Sequence, residues 1–476
     1  MDTRARPGVA AAVLATALPM FMAGLDNLIV TNALPVIRDD LGLSLPTLQW
    51  VVNAYALAFA TLLLTAAALG DRIGRRRMFL IGIVVFTLGS AACALSVNAS
   101  MLIIARAVQG AGAAAILPLS LTLLAAAVSP ERRALAIGIW GGIQGLGIAV
   151  GPLVGGAVIG GLGWEWVFWL NVPIGALAVP LALRVLDESR GPDRALDPLG
   201  LVLSGLGVLS IIWGVINAGE GGMALPAGIA LLGGMLLIAL FAQWQRRAPH
   251  PMLPVRLFHA PGFVAANLAA IAFSFGMFGS VFLLSQFFQV VQSLSPFAAG
   301  VVTMPWTLAP MVVAPLAGLF AARIGTRTLI ITGMVLLTVA LGWMASVIAV
   351  DVSFAALVAP FLLAGIGFGL TTAPISTAVL ASVPEADHGK ASGTNSTLRQ
   401  LGLALGVAVL TAVFTANGSY TSGRDYVSGL VPALWWGAAA VAVGALVALA
   451  LPRRSATAQP VPSGPTRTTA TRKGSR

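Results

Sequence analysis

The feature that most constrains the fold of this chain is the recurrence of long apolar runs along almost its whole length. A helix needs about 20 predominantly apolar residues to cross the hydrocarbon core of a bilayer. Fourteen such runs can be counted, 58% of the residues are hydrophobic and only 9% are charged, which predicts an all-α polytopic membrane protein with 14 transmembrane helices. The predicted spans are 9–30, 48–69, 79–97, 101–124, 136–158, 167–183, 198–217, 225–244, 263–287, 297–320, 328–350, 354–375, 397–416 and 431–451.

The net charge of +11 follows from where the basic residues lie. They cluster at both ends of the chain and in alternate connections, such as "GDRIGRRR" and "QRRAPHPMLPVR", whereas the intervening connections carry few charges. The positive-inside rule then predicts a multi-pass membrane protein with both termini in the cytoplasm. The expected contacts are therefore with membrane lipid, and no nucleic-acid partner is expected.

The residues that commonly bind metals or cofactors are scarce in this sequence. Cys93 is the only cysteine, and the histidines are His250, His259 and His388, in predicted connections where a solvated side chain is expected. No group of Cys or His has the spacing of a metal site, and no Ser, His and Asp constellation appears. We therefore expect no metal, no cofactor and no enzymatic activity.

Two long charged connections, at about 184–197 and 245–262, divide the predicted spans into six, two and six. The string R-I-G-x-R recurs between spans 2 and 3 and between spans 10 and 11, which indicates two related halves. Parallel halves of this kind are typical of transporters whose substrate site lies between them near the midplane. The predicted organisation is a six-helix bundle at 1–190, two additional helices at 191–255, a second six-helix bundle at 256–452 and a disordered tail at 453–476.

Asp26, in "LDNLIVTNALP", is the only carboxylate well inside a predicted span. A charge at the bilayer centre costs about 2.5–3.5 kcal/mol on insertion scales, so an intramembrane acid suggests a function. Arg106 in "RAVQGAGAA" is its natural partner, and Gln109 and Gly110 share the helical face of Arg106. Burial favours the neutral acid and a nearby arginine favours the carboxylate, so a change in their separation would move a proton. A structural acid or a static ion pair remains the alternative.

A string rich in glycine lies within predicted span 5. "GLGIAVGPLVGG" contains Gly147, Gly151, Pro152, Gly155 and Gly156, a spacing that lets two helices approach closely. By spacing alone this is a packing motif.

"GDRIGRRR" provides Asp71, Arg72, Gly74 and Arg75 at the end of span 2. They form either a plain basic cluster or a gate in which Asp71 faces a helix amino terminus or an arginine of the other half.

Polar and aromatic residues are scattered over several spans, Tyr55 among them. Gln49, Asn53, Gln144 and Gln289 are the predicted cavity-facing residues that would bind substrate. Such side chains give adaptable hydrogen bonds within an apolar pocket, although packing or interfacial anchoring would also explain them.

Together these strings resemble the major facilitator superfamily, in particular its fourteen-helix drug:proton antiporter group, over residues 9–451. The resemblance implies that Asp26 is the acid of the first-helix motif and that "RAVQGAGAA" is the fourth-helix motif assigned to proton transfer. It implies that "GLGIAVGPLVGG" is the fifth-helix motif of antiporters and that "GDRIGRRR" is the gating loop. Ala67 stands where that loop motif has a glycine, and Glu165 where "WEWVFWLNVPIG" would have an arginine. "HGKASGTNSTLRQLGLALGVAVL" is similar to the entry to helix 13, including Arg399 and Gln400.

The function predicted from these features is proton-driven export of hydrophobic or amphipathic small molecules by alternating access. The chain has two lysines, Lys390 and Lys473, and neither lies in an ATP-binding G-x-x-x-x-G-K-[ST] string. The expected partners are therefore the transported molecule and protons, and we expect the protein to function as a monomer. A proton-coupled importer on the same scaffold is the first alternative, and a sensor that has lost transport is the second.

Overall fold

The computed structural model describes residues 8–43, 45–191, 197–218, 224–249, 251, 253 and 255–453. Within these residues the chain is helical, with short connections. The helices are α1 Val9–Leu41, α2 Leu45–Ile73, α3 Arg75–Ala94, α4 Ala99–Ala127, α5 Pro130–Leu162, α6 Glu165–Trp169, α7 Asn171–Val185, α8 Pro198–Ala218, α9 Ala224–Gln245, α10 Pro261–Val290, α11 Pro296–Ile324, α12 Thr326–Val347, α13 Phe354–Ala381, α14 His388–Asn417 and α15 Gly423–Val447.

Thirteen stretches of the described residues are long and apolar enough to cross a membrane, α6 and α7 together forming one of them. The remaining long helix, α5, has 33 residues. The prediction of an all-α polytopic fold is therefore confirmed. The predicted tail at 453–476 lies outside the described residues except for Arg453, and the predicted domain boundaries stay predictions.

Some predicted boundaries were wrong. The first span was expected to end at residue 30, but α1 continues to Leu41 and ends at Gly42, whose φ of 61° places it in the left-handed region. The thirteenth span was expected to begin at 397, but the helix that contains it, α14, begins at His388. Its polar first turns are buried because they pack against the other half of the molecule, so His388, expected to be solvated, is 5% exposed.

The helices pack as two sets with matching arrangements. In α1–α7, which we call the N-half, α1 packs on α5, and both α2 and α3 pack on α4. In α10–α15, the C-half, α10 packs on α14, and both α11 and α12 pack on α13. Each contact in one half thus has a counterpart in the other, as expected for the parallel repeat that the sequence indicated.

The two halves meet along two seams. At one seam α5 packs on α11, and at the other α2 packs on α14. Glycine permits close approach at the first seam: Gly138 lies against the backbone of Ala314, and Gly142 lies against Pro315. A larger side chain at either glycine would push the two helices apart, because the interior has no spare volume.

The pair α8 and α9 forms a hairpin beside the second seam, with α8 packed on both α2 and α14. Val208 and Ile212 of α8 share an apolar cluster with Leu57 and Ala60 of α2. Asp197 holds the ends of the hairpin together, accepting hydrogen bonds from Trp244 Nε1 at 2.7 Å, Gln245 Nε2 at 2.6 Å and the Gly200 amide at 2.8 Å.

Candidate functional site

A buried cluster of polar side chains surrounds Asp26 on α1. Oδ2 of Asp26 accepts a hydrogen bond from Arg106 Nη1 at 2.7 Å, and the two side chains form an ion pair. Oδ1 accepts hydrogen bonds from Gln109 Nε2 and from Asn171 Nδ2, each at 2.8 Å. Asp26 and Arg106 are both only 1% exposed. The carboxyl group therefore accepts three hydrogen bonds, two from α4 and one from α7.

Arg106 is held by several groups besides the acid. Its Nη1 also donates to Gln109 Oε1 at 2.6 Å, and its Nε donates to the Val51 carbonyl at 3.2 Å. The Tyr55 ring lies 4.3 Å from the guanidinium carbon, a cation–π distance. Several donors of the guanidinium thus have partners of their own, which fixes its plane relative to Asp26.

The helices place these groups for local reasons. Arg106 and Gln109 lie three residues apart on α4, so their side chains emerge from the same face. Asn171 is the first residue of α7, just after the break between α6 and α7 at Leu170. Asn171 Nδ2 also donates to Ser90 Oγ on α3 at 2.9 Å, so the amide joins α1, α3 and α7.

The ion pair of Asp26 with Arg106 is buried, so each charge is compensated mainly by the other. Removing one partner of a buried ion pair costs about 3–5 kcal/mol, because a charge is left uncompensated. Protonation of Asp26 would remove the charge that Arg106 neutralises. The hydrogen bonds that Asp26 accepts thus join α1 to α4 and α7.

The glycine string of α5 lies partly against α1. Gly147 approaches the backbone of Phe21, five residues before Asp26, and Gly151 and Gly155 are buried on the same helix. The side-chain environments of Pro152 and Gly156 lie outside the description. Close contact at Gly147 thus couples the position of α5 to that of the helix that holds the acid.

The loop residues Asp71, Gly74 and Arg75 lie at the end of the molecule where α2 ends and α14 begins, which we call the basic end. Asp71 is buried, its Oδ1 accepts from Arg75 Nε at 2.7 Å, and its carboxylate lies against Gly389 in the first turn of α14. A carboxylate at a helix amino terminus is favoured by the helix dipole. Gly74, with a φ of 121°, makes the turn between α2 and α3. Arg72 is exposed.

Three hydrogen bonds between described residues join the halves at the basic end. Arg75 Nη2 donates to the Ala386 carbonyl at 3.2 Å, and Ser392 Oγ donates to the Pro118 carbonyl at 2.9 Å. Arg133 Nη2 donates to Glu385 Oε1 at 2.8 Å, which is also an ion pair. The halves are therefore held together at this end in the conformation described.

Ala67, which stands where the loop motif has a glycine, lies opposite a glycine of α14 at the second seam. The methyl group of Ala67 faces Gly393 of α14, so the pair is still small enough for α2 and α14 to approach closely.

The three predicted substrate-binding residues whose side chains are described all keep some exposure. Asn53 and Gln144 are partly exposed, whereas the side chain of Gln49 lies outside the description. Gln289 is exposed, and its Nε2 donates to the Ser285 carbonyl on its own helix at 3.3 Å. Their role in binding stays a prediction. Among the described residues no group of three or more His, Cys, Asp or Glu could hold a metal ion.

Comparison with known proteins decides the family. The model of the family described as Major Facilitator Superfamily matches residues 16–407 and 266–474. The chain belongs to the major facilitator superfamily. It is thus a multi-pass membrane transporter, and the resemblance drawn from its motifs is confirmed at the level of the family.

Several curated bacterial relatives of this major facilitator chain are named for drug efflux or resistance. It is 37% identical to the multidrug efflux pump LfrA of Mycolicibacterium smegmatis, over 96% of this chain and 90% of that protein. It is 36% identical to the multidrug resistance protein Stp of Mycobacterium tuberculosis, over 85% of this chain and 75% of that one. Identity to the tetracenomycin C resistance and export protein of Streptomyces glaucescens is 33%, over 84% of this chain and 74% of that one.

Solved structures agree on the fold. The human organic anion transporter MFSD10 (TETRAN) superposes with a TM-score of 0.65 at 17% identity, covering 94% of this chain and 100% of that chain. The proton:xylose symporter XylE, bound to 6-bromo-6-deoxy-D-glucose, gives a TM-score of 0.63 at 14% identity, covering 92% of this chain and 94% of that chain. At such identities the likeness establishes the major facilitator fold alone.

Sequence reasoning missed several residues of this major facilitator site. Asn171 and Ser90 are ordinary polar residues in sequence, and only the packing of α7 on α3 brings them to Asp26. Tyr55 was grouped with possible cavity residues, yet it is 4% exposed and lies over Arg106. Arg133 is one of the basic residues in the connections between helices, and no local pattern of the sequence pairs it with Glu385.

Proposed function

We propose that this protein is a secondary active exporter in which proton entry drives the efflux of hydrophobic or amphipathic small molecules such as drugs or antibiotics. The single observation that supports coupling most strongly is the buried carboxyl of Asp26, bonded at 2.7 Å to Arg106 and at 2.8 Å to both Gln109 and Asn171. Export rather than import is supported by the efflux and resistance names of its relatives.

In the proposed cycle Asp26 alternates between two protonation states. When a proton reaches the carboxylate, its attraction for Arg106 is lost, and the donors around it no longer favour one fixed geometry. The helix α1 can then shift relative to α4 and α7, and Gly147 transmits that shift to α5 at the seam with the C-half. Loss of the proton on the other side of the membrane restores the ion pair.

The basic end is the cytoplasmic end in this proposal, because arginines are concentrated there. The bonds of Arg75, Arg133 and Ser392 to the other half would then close the cytoplasmic side in the conformation described. Substrate would enter from the cytoplasm or the inner leaflet after these bonds break. Each elementary charge that crosses 100 mV supplies about 2.3 kcal/mol, to which a pH gradient adds.

The proposal is tested by dye efflux from energised cells of a pump-deficient bacterial host. Cells with the wild-type protein should expel a fluorescent lipophilic dye, and a protonophore should abolish the efflux. Asp26→Asn should abolish it too while leaving the amount of protein in the membrane unchanged. Asp39→Asn is the matched control, because Asp39 is an exposed acid on the same helix.

The outcomes separate the proposal from its alternatives. Wild-type efflux in Asp26→Asn would refute the coupling role of the acid. Dye accumulation driven by the proton gradient would instead indicate an importer. Lack of any gradient-dependent dye movement, with normal expression and across a panel of dyes, would favour a sensor.

A further inference from the structure

Arg399 on α14 is a charged side chain without a protein partner. It is partly buried, and none of the hydrogen bonds or ion pairs among the described residues involves it. A desolvated charge within a membrane is costly and ordinarily pairs with another group. Arg106, the arginine within predicted span 4, is by contrast paired with Asp26 and hydrogen-bonded to Gln109.

Arg399 lies well inside α14, about three turns from its first residue. It is the twelfth residue of α14, which begins at His388, so it is about 16 Å along the helix at 1.5 Å per residue.

The face of α14 that holds Arg399 is defined by its neighbours. Asn395, one turn earlier, contacts α10, because its Nδ2 donates a hydrogen bond to Asn267 Oδ1 at 3.0 Å. Gly402, one turn later, packs on the α10 backbone at Ile271. Ser392 bonds to Pro118 of α4 in the other half. Residues spaced by three, four and seven share a helical face, so Arg399 lies on the face between α10 and α4, toward the interior of the molecule.

The repeat supports that placement. In the N-half, Gln144 precedes Gly147 by three residues and Gly151 by seven, and in the C-half Arg399 precedes Gly402 and Gly406 by the same spacings. Gly147 packs on the backbone of α1, and Gly402 packs on that of α10, the first helix of the other half. Gln144 and Arg399 thus occupy corresponding positions of the two halves, and both are partly exposed.

No acid of the C-half is available to neutralise Arg399. Residues 256–453 contain four acids. Glu385 pairs with Arg133 and Asp387 with Arg256, both at the basic end. The other two acids lie at the opposite end of the C-half. Asp351 follows α12, and Asp425, in the first turn of α15, accepts hydrogen bonds from Ser422 and Thr421.

We propose that Arg399 binds the anionic group of the transported molecule, so that the substrates of this exporter include amphipathic acids, carboxylates above all. This inference rests on the proposed export function and narrows its substrate class. A guanidinium matches a carboxylate with two parallel hydrogen bonds, and the match is strongest where water is scarce. The amide of Gln144 would add a neutral hydrogen bond from the other half.

The test is ligand binding to the purified full-length protein in phosphatidylcholine nanodiscs, which contain no anionic lipid and impose no gradient. The probes are 1-pyrenebutyrate and its neutral primary amide, and binding is measured by quenching of tryptophan fluorescence. The wild type should bind the acid more tightly than the amide. Arg399→Gln should weaken binding of the acid about ten-fold or more and leave the amide unchanged, because a hydrogen bond to a charged group is lost.

Three further variants complete the test. Arg399→Lys, which keeps the charge and loses the planar fork, should give an intermediate affinity for the acid. Arg399→Glu should reverse the preference in favour of 1-pyrenebutylamine, a gain that a purely structural role does not produce. Arg323→Gln, the same change at an exposed arginine at the end of α11, should alter nothing.

The inference is overturned if the wild type does not prefer the acid, or if Arg399→Gln leaves the preference intact or weakens both probes equally. If Arg399→Gln does not fold, the inference is tested by the other two variants. It is then overturned if Arg399→Lys binds the acid as the wild type does and Arg399→Glu does not prefer 1-pyrenebutylamine. Proton-driven efflux of the amide without any preference for the acid would overturn this inference and leave the proposed function intact. Efflux that is insensitive to a protonophore would contradict the proposed function and leave the binding preference standing.

Discussion

Asn171 donates a hydrogen bond of 2.8 Å from its amide nitrogen to Oδ1 of Asp26, a residue 145 positions earlier in the chain. The same amide donates to Ser90 Oγ, and Ser90 in turn donates to the Phe168 carbonyl at 2.9 Å. Asp26 is therefore tied to α3 and to the α6–α7 break as well as to α4. Movement of α1 must break or rearrange this network.

Asn171→Ala removes one of the three donors to Asp26 and leaves Arg106 and Gln109 in place. We expect proton-driven efflux to fall several-fold without being abolished, and stability to fall by about 1–3 kcal/mol, since Ser90 and Asp26 each lose a buried partner. Initial efflux rates and thermal unfolding in detergent measure the two effects. Asn417→Ala, at the exposed end of α14, is the matched control and should change neither. An unaltered efflux rate in Asn171→Ala would show that the amide is not part of the coupling network.

Arg106→Lys keeps the positive charge and loses the planar fork that reaches Asp26, Gln109 and the Val51 carbonyl together. An ammonium cannot reproduce these directions, so we expect efflux to be reduced to the level of Asp26→Asn. The amount of protein in the membrane and its elution as a single species should be unchanged. Substantial efflux by Arg106→Lys would mean that charge alone suffices.

The Arg133–Glu385 pair links the halves at the basic end at 2.8 Å, and Glu385 is largely exposed. Exposed ion pairs contribute at most about 1 kcal/mol, so we expect single substitutions to leave stability nearly unchanged. Arg133→Cys with Glu385→Cys, on a Cys93→Ser background, should allow cross-linking by a short cleavable bifunctional thiol reagent. Efflux should stop on cross-linking and return on cleavage, because the cycle requires this end to open. Arg133→Cys alone, treated identically, is the control, and full efflux by the cross-linked protein would exclude such opening.

Asp197→Ala leaves three donors without an acceptor at the base of the α8–α9 hairpin, those of Trp244, Gln245 and Gly200. We expect a loss of stability of about 1–3 kcal/mol for each donor that water cannot reach, because unsatisfied buried donors keep their desolvation penalty. Thermal unfolding in detergent measures this loss. Asp187→Ala, at a less buried acid in the connection before α8, should have little effect. A melting temperature equal to that of the wild type in Asp197→Ala would show that the clamp does not hold the hairpin.

The sequence alone determined the class of fold, because fourteen apolar runs can be accommodated only as helices in a bilayer. It also singled out Asp26 and Arg106, since charges within such runs are rare and stand out without any structure. The spacing of three residues between Arg106 and Gln109 was enough to place both on one helical face. These inferences depend on local pattern and composition, which can be read from the order of residues without knowing how the helices pack.

Tertiary structure alone decided which distant polar residues complete the site. Asn171 and Tyr55 contact the Asp26–Arg106 pair, and Ser90 contacts Asn171, only because α2, α3 and α7 pack around α4 and α1. The burial of His388 and the isolation of Arg399 likewise follow from the way α14 packs on the other half and on α10. A side chain's partners depend on the relative positions of helices that are far apart in sequence, and hydropathy holds no information on those positions.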